Sequence, residues 1–144
     1  MIQRIIYSDR ELAIIIRNDY HSEGVQFLTK DDYSQQLAYM HHPCGKIIDA
    51  HVHNVESRNV IYTQEVLIIK KGKLRVDFYT DDKEYIESYI LNEGDIILLA
   101  SGGHGFKVLE ELEMIEIKQG PYLGERDKTR FVSIDEKQIR LKDK

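Results

Sequence analysis

Cysteine is nearly absent from this sequence, and Cys44 is the only one among 144 residues. A lone cysteine can form neither an intramolecular disulfide nor a cysteine-based zinc cluster, which fits a reducing compartment. The sequence also lacks any apolar run near the roughly 18 residues that a membrane-spanning helix requires. Its first residues do not have the basic region and apolar stretch of a secretion signal. We therefore expect a cytoplasmic protein that has no membrane partner.

The sequence also has no excess of basic over acidic residues. The chain carries 20 Lys and Arg against 25 Asp and Glu, which gives a formal net charge of −5. Proteins that bind nucleic acids neutralise phosphates with a clustered basic face. This charge balance argues against nucleic acid as a partner and leaves a small molecule as the expected ligand.

The sequence contains no internal repeat and no linker rich in Pro, Gly or Ser, so residues 1–144 are expected to form one domain. Short apolar segments alternate with turn residues, which is the spacing of an all-β sandwich or barrel. Candidate strands lie at residues 2–7, 11–17, 25–28, 37–42, 46–53, 60–70, 74–80, 85–91, 95–100, 105–109 and 113–119. Residues 30–38 are the one helix candidate and could equally end as strand. The charged segment 125–144 is expected to pack on the outside of the domain or to fray.

Three histidines and one glutamate are the candidate metal ligands. His51 and His53 share one face of the candidate strand 46–53, about 6.6 Å apart along it. Two imidazoles at that spacing can converge on one metal ion at about 2.0–2.1 Å. Glu65 enters an apolar strand, where a carboxylate is costly to bury unless it is paired, protonated or metal-bound. His104 stands among glycines, which let the backbone and a ligand approach closely.

The order of these residues resembles the two sequence motifs of the cupin superfamily, and the resemblance covers residues 45–106. The first motif is matched by Gly45, His51, His53, Glu65 and Gly72, and the second by Gly94, Asp95, Gly102 and His104. The resemblance implies a single-domain antiparallel β-barrel of the cupin, or double-stranded β-helix, type, similar to a jelly roll. It also implies one divalent metal ion, which can be Fe, Mn, Ni, Co or Zn, bound by His51, His53, Glu65 and His104. Small cupins commonly pair through their sheets, so a homodimer is expected.

The sequence departs from the family pattern between His53 and Glu65, where 11 residues replace the usual three or four. An antiparallel hairpin over residues 55–63 can return Glu65 to a position opposite the histidines, with residues 57–59 as a flap at its tip. Glu56 is the rival carboxylate. Two smaller departures affect the second motif: Ala100 replaces a common proline, and His104 arrives one residue early.

Three residues are candidates for substrate contact. Glu116 and Lys118 share one face of strand 113–119, opposite Ile115 and Ile117. If that face points into the barrel, Lys118 can hold a carboxylate or phosphate near the metal, and otherwise the two charges form an ion pair in solvent. Arg58 and Tyr62 belong to the flap and are the other two candidates.

The remaining histidines receive no functional role from their sequence context. His41 and His42 are adjacent and therefore point to opposite sides of a strand. A surface or packing role is expected for both, and His21 lies in a polar turn.

The cupin resemblance does not fix a reaction, and no catalytic residue is assigned. Cupins with this ligand set include dioxygenases, decarboxylases and sugar isomerases, in which the metal acts as a Lewis acid or activates dioxygen. Residues 102–106 and 118–122 look like segments of stand-alone cupins associated with bacterial surface-polysaccharide synthesis. We therefore favour a small oxygen-rich ligand such as a sugar or sugar nucleotide. The alternatives are a non-catalytic binding or sensor cupin, and a metal-free sugar epimerase or isomerase with His51 as the base.

Overall fold

The computed structural model describes residues 1–142, and strands make up most of its regular structure. The strands are β1 (Ile2–Tyr7), β2 (Arg10–Ile16), β3 (Gly24–Phe27), β4 (Ala38–His41), β5 (Glu65–Tyr79), β6 (Tyr85–Asn92), β7 (Ile96–Leu99) and β8 (Gly103–Lys118). Two short 3₁₀ helices follow, at Gly124–Asp127 and Glu136–Gln138. Within residues 1–142, no helix has the length and apolar character needed to span a membrane.

Most of the predicted strands are confirmed to within one or two residues at each end. Four other predicted strands form two continuous strands in the structure. The predicted strands 60–70 and 74–80 overlap the single strand β5, which begins only at Glu65, so residues 60–64 are wrongly predicted as strand. The predicted strands 105–109 and 113–119 overlap β8. The prediction of an all-β chain is therefore right, although the sequence does not reveal how long its two longest strands are.

The helix predicted at residues 30–38 is wrong, because side chains occupy the hydrogen-bonding groups that a helix would need. The backbone N–H of Leu37 donates to Oγ1 of Thr29 at 3.1 Å. The Gln36 amide donates to the carbonyl oxygens of Lys30 and Tyr33, each at 3.0 Å. Side-chain bonds of this kind compete with the helical pattern. The segment is a loop with a turn at residues 31–32.

The strand predicted at residues 46–53 is also wrong in this structure. Residues 42–64 contain no strand, and apolar side chains of this segment are exposed, Ile47 at 78% and Val52 at 88%. An extended segment becomes a strand only when its backbone groups pair with a neighbour. Residues 42–64 have the alternation of a strand but no pairing partner here.

Six strands form one antiparallel sheet, in the order β1-β2-β7-β5-β6, with β8 also paired to β5. Both long strands, β5 and β8, bend in the middle, where their register shifts between Ile69 and Leu74. Gly72 lies in this bend with φ +84°, and a Cβ there would lie 1.9 Å from the carbonyl oxygen of Glu111. The bend curls the sheet strongly, and the result is a half-barrel.

The two faces of the curled sheet have different contents. The concave face carries the main core, formed by Ile5, Leu12, Ala13, Ile15, Leu67, Ile69, Leu74, Val76, Phe78, Leu91, Ile97 and Leu99. A smaller apolar cluster on the convex face joins Ile14, Val66 and Leu98 to Tyr33 and Leu37 of the loop before β4. Strand β5 is therefore covered on both faces along its first half.

Residues 131–142 of the charged C-terminal segment pack against β5 and β6, and residues 143–144 lie outside the described part of the chain. Arg75 of β5 donates to Glu136 at 2.8 Å, and the ring of Phe131 lies 5.0 Å from that of Tyr79. Near the end of the described chain, Leu141 forms an isolated bridge with Ser88 of β6. These contacts place the segment against one wall of the half-barrel.

The half-barrel is open along β8. This strand pairs with β5 on one side, and no other strand among residues 1–142 pairs with its second edge. Phe106 and Val108 lie opposite the core residues Val76 and Leu74 and therefore share their face. Both side chains are nevertheless exposed, at 41% and 56%. The concave face of β8 thus lacks the cover that a closed barrel would give it.

Candidate functional site

The bend in β5 brings together two of the four predicted ligands. Glu65 begins β5, and His104 pairs with Phe78 near the other end of the same strand. Nε2 of His104 lies 3.2 Å from Oε2 of Glu65, and the two side chains are 29% and 9% exposed. Two donor atoms bound to one ion at about 2.1 Å lie roughly 3.0–3.4 Å apart. The pair therefore has the spacing of adjacent ligands on a metal.

The electrostatics of the pair favour an ionised carboxylate. The hydrogen bond with His104 lowers the pKa of Glu65, whereas burial raises it. The charges of His104, Lys118 and Lys128 also lower this pKa, and the net effect is a lowered pKa. A carboxylate must be ionised to bind a cation well. Glu65 thus satisfies the protonation requirement of a metal ligand.

A cavity of about 530 Å³ opens beside Glu65 and His104, within the usual range for small-ligand sites. One side is formed by the loop at the start of β8 and the other by the C-terminal segment. Its lining residues are Ile61, Tyr62, Thr63, Glu65, Tyr79, Asp81, Ser101, Gly102, Gly103, His104, Gly105, Asp127, Lys128, Thr129, Arg130, Phe131 and Ser133. The hydroxyl groups, the carboxylates and the two cationic side chains that line this cavity suit a polar ligand.

Lys118 lies on the concave face, close to Glu65. The register of β8 puts Lys118 opposite Glu65 and Glu116 opposite the core residue Leu67, so both charges share the concave face. Nζ of Lys118 lies 3.7 Å from Oδ2 of Asp127, one of the residues that line the cavity. Of the two orientations considered for this strand, the inward one is present. A substrate contact by Lys118 stays a prediction.

The other two candidates for substrate contact differ in position. Tyr62 lines the cavity, and its ring lies 5.2 Å from the guanidinium of Arg10. Arg58 is exposed, donates to the carbonyl oxygen of Glu56 at 3.3 Å, and is not among the cavity-lining residues. The structure therefore associates Tyr62, but not Arg58, with the cavity.

His51 and His53 remain close to each other, in the exposed segment 42–64. Their ring centroids are 5.3 Å apart, and Nδ1 of His51 donates to the carbonyl oxygen of Asp49 at 2.9 Å. Within residues 1–142, no group of three metal-ligating side chains within 4.8 Å of one another includes His51, His53, Glu65 or His104. The four predicted ligands thus lie in two separate pairs in the structure, and the four-ligand site stays a prediction.

Sequence reasoning missed two sets of residues. Lys128 and Arg130 line the cavity from a segment that has no strand pattern, so its sequence gives no signal of their position. The second set is a cluster of His21, Glu23 and His41. The sequence predicts a surface or packing role for His41, places His21 in a polar turn and assigns no role to Glu23. A usable signal existed there, because a hairpin between the predicted strands 25–28 and 37–42 brings their outer ends together.

Comparison with known proteins finds no family model, no curated protein and no solved structure that matches the chain. The resemblance to cupins therefore depends on the motif residues alone.

Proposed function

We propose that this chain is a cupin-type metalloprotein that binds a small oxygen-rich molecule, such as a sugar or sugar nucleotide, in the cavity beside Glu65 and His104. The observation that carries the proposal is the 3.2 Å approach of Glu65 to His104 at the rim of a polar cavity. Two ligand-type side chains from distant parts of the sequence meet there, and both belong to the motif pattern. A structural ion pair would not require a ligand-sized cavity beside it.

The proposal includes closure of the half-barrel by residues 46–62. This segment carries exposed apolar side chains, and the concave face of β8 carries apolar side chains without cover. Strand pairing between the segment and the free edge of β8 would bury both sets. Closure of this kind would also bring His51 and His53 toward Glu65 and His104, which completes the jelly-roll barrel and the ligand set of three histidines and a carboxylate.

The residues in and around the cavity have distinct roles in this proposal. A bound divalent ion supplies a Lewis acid or, as Fe(II), a centre that activates dioxygen. Lys128 and Arg130 bind anionic groups such as phosphates, for which arginine is especially suited by its planar guanidinium. Asp81 accepts hydrogen bonds from sugar hydroxyls, and Tyr62 offers an aromatic face to the ring.

A titration with Co²⁺ tests the metal site. His21→Ala is used as the reference protein, because it removes the separate histidine cluster. In that background, we expect His104→Ala, Glu65→Gln and His51→Ala each to weaken Co²⁺ binding at least about tenfold, the lower end of the losses seen when metal sites are disturbed. His42→Ala is the matched control and leaves affinity unchanged. Equal affinity in all four variants contradicts the proposal.

The hydrogen bond between His104 and Glu65 also favours a second function, metal-free acid–base catalysis on a sugar. A carboxylate partner fixes the orientation and tautomer of an imidazole, as a general base requires. This version uses His104 as the base, since His51 lies outside the cavity in the structure. Activity that survives chelation by EDTA but is lost in His104→Ala would favour it over the metalloprotein. Ligand binding without turnover in either condition would favour a binding or sensor protein.

The association state is a further part of the proposal. We expect a homodimer, and the uncovered edge of β8 is a surface through which two sheets can pair. If β8 is closed by residues 46–62 instead, the dimer must use another sheet edge. Light scattering on the purified chain distinguishes a dimer from a monomer.

A further inference from the structure

We propose that His21, Glu23 and His41 form a second metal site, on the small sheet of β3 and β4, for a divalent transition ion such as Zn²⁺ or Cu²⁺. Their ligand atoms all lie within 4.8 Å of one another. Among the His, Cys, Asp and Glu side chains of residues 1–142, this is the only group of three whose ligand atoms lie so near one another. None of the three residues lines the cavity beside Glu65, so the site is independent of the proposed function.

Strand pairing explains why these residues meet. Gly24 of β3 pairs with His41 of β4, so the chain just before β3 lies beside the end of β4. Oε2 of Glu23 lies 2.9 Å from Nδ1 of His41, and Oε1 lies 3.2 Å from Nε2 of His21. The two imidazole centroids are 4.8 Å apart. Separations near 3 Å are what donors bound to one ion at about 2.0–2.2 Å require.

A tyrosine supports the orientation of His21. The hydroxyl of Tyr39 lies 3.4 Å from Nδ1 of His21, which leaves Nε2 directed toward Glu23. Tyr39 itself packs edge-on against the ring of Tyr20, with centroids 5.0 Å apart. Histidines that bind metals commonly have a hydrogen-bond partner on the other ring nitrogen, which fixes the tautomer.

The donor set indicates the kind of ion and the effect of binding. Two imidazoles and one carboxylate suit Zn²⁺, Cu²⁺ or Ni²⁺ rather than Mg²⁺ or Ca²⁺, which prefer oxygen ligands alone. The side chain of Glu23 is 77% exposed, so water can complete the coordination sphere. Strands β3 and β4 form a separate two-stranded sheet, and such a hairpin is only marginally stable by itself. An ion at this position would tie the chain before β3 to the end of β4.

Calorimetric titration with Zn²⁺ tests the site on untagged, full-length protein that carries His104→Ala, which removes the ligand pair of the cavity. We expect one bound ion, and both His41→Ala and Glu23→Gln should weaken its binding at least about tenfold. His42→Ala is the matched control, because this adjacent histidine follows the end of β4 and is not part of the group of three. Zn²⁺ should also raise the melting temperature of the reference protein and leave that of His41→Ala unchanged.

Two results would overturn the proposal. One is unchanged affinity in His41→Ala and Glu23→Gln. The other is an equal loss in His42→Ala, which would mean that Zn²⁺ binds adventitiously to scattered histidines. Glu23→Gln nearly preserves the size of an exposed side chain, so we expect this variant to fold. Its affinity for Zn²⁺ therefore tests the proposal even if His41→Ala is unstable.

Discussion

At the scale of single residues, Asp95 has a structural role that its motif position does not reveal. The motif resemblance pairs Asp95 with Gly94 as part of a metal-binding pattern. In the structure, its carboxylate accepts from Arg17 at 2.8 Å and from the backbone N–H groups of Asn18 and Asn92, each at 2.9 Å. The side chains of Arg17 and Asp95 are both 2% exposed. Asp95 therefore holds the β6–β7 turn against the end of β2.

Removal of the Asp95 charge tests this role. Asp95→Asn leaves the Arg17 guanidinium buried without a counter-ion, and loss of one partner of a buried pair costs about 3–5 kcal/mol. We expect a decrease of that size in the free energy of unfolding, measured by urea denaturation. Glu111→Gln breaks the exposed pair with Lys71 and should cost less than about 1 kcal/mol. Similar losses in the two variants would contradict a structural role for Asp95.

A second prediction at this scale concerns pH. Hydrogen bonds from Arg75, and then from Lys107, lower the pKa of Glu136 to about 2. An unfolded glutamate titrates near about 4.3, so the folded state has the lower pKa and binds the proton less readily. The contribution of Glu136 to stability is therefore complete above the unfolded pKa and is lost as the pH falls toward 2. The protection factors of the backbone amides of residues 131–142, which are exchange rates corrected for their intrinsic pH dependence, should fall over that range. In Glu136→Gln these protection factors should be low already at pH 6.

At the scale of elements, the sequence predicts strand positions better than strand continuity. Alternation and turn residues locate most strands, because each strand buries one face. The bend at Gly72 looks like a hairpin in sequence, but β8 pairs with β5 on both sides of it. Pairing between residues distant in the sequence determines that the strand continues through Gly72, and the local sequence pattern does not predict that pairing. The loop at residues 30–38 is another element that the local pattern does not predict. The side chains of Gln36 and Thr29 hydrogen-bond to backbone groups that a helix would need, and the hydrophobic periodicity does not predict these contacts.

The bend itself can be tested with Gly72→Ala. A left-handed conformation costs about 1–2 kcal/mol for a residue with a side chain. The Cβ would also lie 1.9 Å from a carbonyl oxygen of β8, so the two strands must separate locally. We expect a loss of stability greater than about 2 kcal/mol, measured by urea denaturation. Gly120→Ala is the control, because a Cβ there meets no atom within 4 Å. Equal stability of the two variants would contradict a bend that depends on glycine.

At the scale of the whole molecule, the half-barrel explains which of the predicted ligands lie close together. Glu65 and His104 belong to strands whose core pattern is strong, and their pairing follows from the curl of the sheet. His51 and His53 lie in residues 42–64, which have no strand partner in the structure. The closure proposed above for this segment would depend on pairing between residues distant in the sequence, which the local sequence pattern does not predict.

Closure predicts a change in solvent protection when metal binds. With Mn²⁺ or Zn²⁺ added, the backbone amides of residues 46–62 should exchange more slowly, since pairing with β8 would occupy them. The amides of β6 serve as an internal control, because this strand pairs with β5 on the edge opposite to β8. The Glu65→Gln variant should show no such slowing. Slow exchange in both proteins without metal would mean that the barrel closes independently of the ion.

The central claim is that Glu65 and His104 are metal ligands, and the metal content of the protein tests it most directly. Elemental mass spectrometry would be applied to untagged protein that carries His21→Ala, with and without Glu65→Gln. We predict about one equivalent of iron, manganese, cobalt, nickel or zinc in the first protein and a large loss in the second. Absence of metal from both, together with failure to take up any of these ions on dialysis, would contradict the claim.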